Sequence, residues 1–246
     1  MLLRYLSLEI KRTFRDRRFV FFTMAFPVAM YLLWANVSTG SEPTTGLTAR
    51  TYLMVSMASY GAIGAAVTTT GARLAAELGS GWLRQLQVTP LPGWAVIGAK
   101  TVASMTLALP PIALVGLTAA LTQHVHLSAA QWAGLAAVLW VGTLPFAALG
   151  TLIGSAVKGD AAHPASVAVY LGLSMIGGLW IPAAQLPSAL RSISRWTPSN
   201  RFAELGWGIV GGHAPSGTAA LILVAWTVLL GGLAAVAYRR ATVTAS

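Results

Sequence analysis

The chain carries six carboxylates, sixteen lysines and arginines, four histidines and no cysteine. Their placement limits the chemistry they can do. His124 and His126 stand two residues apart, while His163 and His213 lie on other connections. Two ligands fall short of the three or four that a zinc-type site uses, so these are read as solvated loop histidines and no metal is assigned. No H-E-x-x-H occurs, and no serine or threonine has an identifiable His–Asp partner. No G-x-x-x-x-G-K-[ST] occurs either, so the chain has no phosphate-cradling loop of its own. No catalytic constellation is found, and the chain is not read as an enzyme. Without cysteines, no disulfide or thiolate site is available.

The elements that position these groups are apolar. The composition is 56% hydrophobic and 9% charged, against about 25% charged in a soluble domain. Six runs are long enough for a hydrocarbon core of about 30 Å: residues 19–39, 51–70, 101–122, 132–156, 165–184 and 218–238. None has an acidic or basic residue in its central stretch, so the sequence offers no intramembrane proton or ion relay. The expected fold is an all-α membrane protein with six transmembrane helices, forming one domain over residues 1–246. Pro27 is expected to kink the first span, and Pro110–Pro111 to interrupt the third. Ala58, Gly61, Ala62, Gly64 and Ala65 mark the second span as a close-packing helix.

The apolar stretch from Phe19 is too long for a signal peptide h-region, so it is read as an uncleaved first span. Before it, Leu3, Leu6, Ile10 and Phe14 recur at helical spacing, with Arg4, Lys11, Arg15 and Arg18 off that stripe. This predicts an interfacial helix over 1–18. Orientation follows from the basic residues. With both termini in the cytoplasm, Arg4, Lys11, Arg12, Arg15, Arg17, Arg18, Arg73, Arg84, Lys100, Lys158, Arg239 and Arg240 lie inside. Only Arg50, Arg191, Arg195 and Arg201 lie outside. The net charge of +10 is therefore read as contact with membrane lipid headgroups, not nucleic acid. Two connections are more than loops. In the cytoplasmic one, residues 71–100, Leu74, Leu78, Trp82, Leu86 and Val88 predict a short helix ended by Pro90 and Pro92. In the external one, residues 181–217, apolar residues at helical spacing between prolines predict one or two short re-entrant helices.

The stretch from Glu77 to Pro92, ELGSGWLRQLQVTPLP, resembles the segment after the second span in permeases of the ABC type-2 exporter family. Those permeases often show an acidic residue, a glycine, a Leu/Arg-rich turn, T-P-L, and a lysine opening the third span. Here these are Glu77, Gly81, Leu83–Leu86, Thr89–Leu91 and Lys100. Gly177–Pro182 followed by Leu186–Pro187 is similar to the family's G-G-x-x-x-P…L-P signature. Pro145–Gly150 is similar to a P-F-A-x-L-G pattern of actinobacterial-looking members. The chain departs from the family's denser E-R-E-R-G run, which implies a less ionic contact at Glu77.

The resemblance implies a bacterial plasma-membrane permease that pairs with a second copy or a paralogous permease. A separate ABC ATPase subunit would bind ATP and Mg, with no cofactor in this chain. The segment after span two would be a coupling helix, with Glu77, Trp82, Arg84, Leu86 and Pro90 the ATPase-coupling residues. Gly177, Gly178, Pro182 and Pro187 would shape an outer gate. Met54, Met57, Tyr60, Met175 and Trp180 are candidates to line a pathway, since Met and aromatic side chains re-pack around varied ligands. The implied cargo is amphiphilic or apolar, such as a drug or antibiotic. The rival readings are a secondary transporter and a non-transporting membrane scaffold or assembly protein.

Overall fold

The computed structural model describes residues 21–38, 40–42, 45–80, 93–157, 159–182 and 185–244. The expected interfacial helix over 1–18 lies outside them. The described residues form helices and no strand; a single β-bridge pairs Ser41 with Thr48. A π-helical turn, Phe21–Ala25, leads into α1 (Phe26–Val37). There follow α2 (Ala49–Gly79), α3 (Gly93–Thr122), α4 (Ala129–Val141), α5 (Leu144–Ala156), α6 (Ala162–Ile176), α7 (Ser188–Ser194), α8 (Pro198–Val210) and α9 (Gly217–Thr244). Among the described residues, four stretches are long and apolar enough to cross a membrane: α2, residues 97–122 of α3, α4 with α5, and residues 217–241 of α9. The helix over residues 23–37 is apolar but shorter.

The packing is centred on α2, which touches α1, α3, α5, α6 and α8. Its most apolar window is 94% buried inside the protein, whereas that of α9 is only 28% buried. The sequence explains the difference. One face after another of α2 is built from small residues that neighbours approach closely. A Cβ at Gly61 would come within 2.8 Å of Pro111, and Gly64 packs on Tyr170. Gly150 and Gly154 of α5, a G-x-x-x-G pair, lie against Thr70 and Gly71 of α2 so tightly that a Cβ on either would overlap them. Three of the hydroxyls on α2 are absorbed by its own backbone: Ser56 donates to the Tyr52 carbonyl, Thr68 to Gly64 and Thr70 to Ala66, at 2.6–2.9 Å. By contrast α9 turns Leu221, Val224 and Val228 outward, each more than 60% exposed.

The two proline sites behave differently. Pro27 follows directly on the π-helical turn Phe21–Ala25, so the backbone irregularity lies in the turn its missing N–H leaves unbonded. Pro110–Pro111 do not interrupt the third span, and α3 runs through both. Neighbouring helices re-satisfy such positions, and Pro111 is seated against Gly61. The fourth span instead breaks at Gly142–Thr143, just before Pro145. Thr143 donates to the Trp140 carbonyl at 2.6 Å, and the Phe202 ring fills the space a Gly142 side chain would need. The second span is also longer than expected. Helix α2 continues to Gly79, so Leu74 and Leu78 belong to it and not to a separate short helix.

Candidate functional site

The two ends of α2 each gather polar groups. At 31 residues, α2 is about 46 Å long, longer than the hydrocarbon core of about 30 Å. Glu77 lies in its last turn, where the helix dipole disfavours an acid. The compensation comes from α3. The Lys100 ammonium lies 2.7 Å from both carboxylate oxygens and donates to Oε1. The Lys100 side chain is buried, 5% exposed, and that of Glu77 is mostly covered, 14% exposed. Leu74 of α2 packs with Tyr238 of α9, and Leu78 and Ile97 pack against them. The Tyr238 hydroxyl is within electrostatic reach of the Glu77 carboxylate. This end therefore joins α2, α3 and α9. The ion pair spans the connection that holds the other expected coupling residues, Trp82, Arg84, Leu86 and Pro90, which lie outside the described residues.

At the opposite end, Tyr52 in the first turn of α2 binds a glycine corner. Gly177 closes α6, and Gly178 follows with φ of +77°, a conformation that suits glycine. The Tyr52 hydroxyl donates to the Gly178 carbonyl at 3.2 Å, and Asn200 Nδ2 to the Gly177 carbonyl at 3.0 Å. Ser199 Oγ donates to the Leu173 carbonyl at 2.5 Å. A side chain at Gly177 would overlap Ser199. Helix α8 supplies these donors because Thr197 caps it, accepting from the Asn200 N–H, and Pro198 opens it. The Trp207 ring stacks on Tyr52 at 4.5 Å, and its Nε1 donates to the Tyr52 carbonyl at 3.2 Å. Of the expected gate residues, Gly177 and Gly178 sit in this corner. Pro182 follows it half-buried, and Pro187 precedes α7 on the surface.

The residues proposed to line a pathway separate into two groups. Met54, Met57 and Tyr60 are buried in the helical core, 1% exposed or less, and Met175 is 58% exposed. Trp180 is half-buried. Tyr60 stands in an aromatic cluster. Its hydroxyl is 3.0 Å from that of Tyr170, and its ring lies 5.5 Å from Trp180 and 5.9 Å from Phe26. Among the described residues, no three potential metal ligands come together.

Residues 39–236 match the family described as "ABC-2 family transporter protein". The chain belongs to the ABC-2 transporter family. A protein of Bacillus subtilis (strain 168), "Putative transport permease YvfS", is similar to this ABC-2 chain, with 33% identity over 223 residues covering 90% of each. An ABC-2 protein with these apolar helices is embedded in a membrane as a permease of an ABC transporter, and the family implies an ATPase partner. Sequence reading of this ABC-2 permease missed Tyr52, Ser199, Asn200 and Trp207. Thr197–Pro198 is a legible helix start, so a helix presenting Ser199 and Asn200 in its first turn was open to inference.

Proposed function

We propose that this chain is the membrane-spanning subunit of an ATP-driven exporter in the bacterial plasma membrane. It crosses the bilayer six times with both termini in the cytoplasm. It pairs with a second copy or a paralogous permease, and two ATPase subunits that bind ATP and Mg dock at the Glu77 end. The observation that carries this reading is the mostly covered Glu77–Lys100 pair. It clamps together the two helix ends that flank residues 80–92. A force applied to that connection, at Trp82, Arg84, Leu86 and Pro90, would reach α2 and α3 as one unit. From α2 it would spread to every helix packed on it. The stroke would open and close the glycine corner at Gly177, Gly178, Pro182 and Pro187.

The cargo in this reading is amphiphilic or apolar, of the drug or antibiotic kind. Support comes from the uncharged span centres and from the aromatic cluster of Tyr60 and the half-buried Trp180. Met54, Met57 and Met175 would re-pack during transport. Affinity purification from the native membrane in mild detergent tests the assignment. A stoichiometric ATPase subunit should accompany the wild-type chain and be lost when Glu77, Trp82 and Arg84 are replaced together. Isolation without any ATPase, under conditions that keep other membrane complexes intact, refutes the reading.

A further inference from the structure

At the Glu77 end a cavity of about 650 Å³ opens between the tips of α2, α5 and α9. Its volume falls within the roughly 300–1,000 Å³ of small-molecule sites. Its walls are mostly apolar, including Leu78, Leu152, Leu233 and Val236, and Arg240 is the charged residue on them. The space exists because the α5 wall ends in small residues, Gly154, Ser155 and Ala156.

Two features identify the occupant. First, the cavity opens sideways. Leu233 and Val236 line it yet are 48% and 50% exposed, on the least buried of the candidate spans. An apolar occupant can therefore reach it across the exposed side of α9. Second, the wall is ordered along α9. Leu233, Val236 and Arg240 follow one another on a single helical stripe, and Arg240 lies about 10 Å along the axis from Leu233. Hydrocarbon surface leads to a cation at the helix end, the order of acyl chain and headgroup in a phospholipid. Arginine also matches phosphate oxygens with paired N–H donors.

We propose that this wedge binds one anionic phospholipid, its acyl chain against Leu233 and Val236 and its phosphate on Arg240. The site needs only that α9 faces a bilayer, and it stands apart from the choice of cargo or motor. The neighbouring Arg239, absent from the cavity wall, provides the control, because removing it takes away the same charge one residue away.

The test uses the full-length chain in nanodiscs of phosphatidylcholine doped with phosphatidylglycerol, with retained lipid read by native mass spectrometry. Arg240→Gln should lower phosphatidylglycerol retention about fivefold, the worth of one basic contact to an anionic headgroup. Arg239→Gln should leave it unchanged, and Arg240→Lys should restore part of it. Ala237→Phe, which fills the wedge, should reduce retention of both lipids. Equal losses for Arg239→Gln and Arg240→Gln would reduce the effect to general surface attraction and overturn the proposal. Retention unchanged in both Arg240→Gln and Ala237→Phe would overturn it as well. The chain has no cysteine of its own, so a Leu6→Cys/Ala237→Cys pair reports cleanly on a protein occupant. Complete crosslinking in membranes would seat the chain's own N-terminal segment in the wedge and end the lipid assignment.

Discussion

The two ends of α2 are held by opposite means. At the Tyr52 end the contacts are neutral and numerous. A stacked Trp207, a hydroxyl on Gly178 and an amide on Gly177 bind α2, α6 and α8 into one corner. At the Glu77 end the described residues include an ion pair and a small apolar cluster, beside an open wedge. Many short-range neutral bonds fix a geometry, because each has a narrow range of useful distances and angles. A charged pair tolerates a wider range of separations, and a cavity beside it leaves room for the helix to swing. On the proposed function, α2 would act as a lever, with the Tyr52 corner the pivot on which the gate glycines turn and Glu77 its working tip.

The most severe way to break this contrast is Lys100→Ala. It strands a mostly covered carboxylate and should cost about 3–5 kcal/mol, read as a lower thermal unfolding midpoint in detergent. The double variant Glu77→Gln/Lys100→Met should recover most of that loss. If the pair transmits force, the double variant stays deficient in cargo-coupled ATP turnover although it is stable; equal recovery of both would reduce the pair to a structural staple.

At the pivot, Gly177→Ala forces a methyl into Ser199 and should cost about 1–3 kcal/mol. Combining it with Ser199→Gly should restore stability, whereas persistent loss would place the strain elsewhere. The smallest effect belongs to the middle of the lever. Tyr60→Phe removes the hydroxyl contact to Tyr170, worth about 0.6 kcal/mol in a membrane interior. The midpoint should barely move, and a shift as large as that of Gly177→Ala would show that this aromatic cluster shares the pivot's load.

The helical character of the chain and the small-residue face of α2 were legible, whereas the fifth span, expected over 165–184, ends at Ile176 because the chain turns at Gly177 and Gly178. Apolar length and Gly spacing report directly on burial and backbone approach. Other features depend on how helices are rotated against one another. Lys100 was visible as the residue opening the third span, but its partner is 23 positions away, and only the helical register brings Glu77 to it. The break at Gly142–Thr143 was missed because no polar run marks it, although Pro145 stood two residues on. Met54 and Met57 were candidates for a pathway although such residues more often pack in a core, and a span's sequence does not say which side faces a neighbour. The G-x-x-x-G at Gly150–Gly154 was readable and went unread.

The depth at which α2 is buried has a consequence for how the protein is made. Of the four candidate spans it is the least apolar, and α9 the most. A helix that will be covered by protein has no need of the hydrocarbon surface that partitions a lone segment into lipid. Its tip also carries Glu77, which meets its counter-charge only once α3 stands alongside. During synthesis α9 has the surface to enter the bilayer unaided. Helix α2 is built to enter as half of a hairpin with α3, so its membrane insertion rests on residues translated after it.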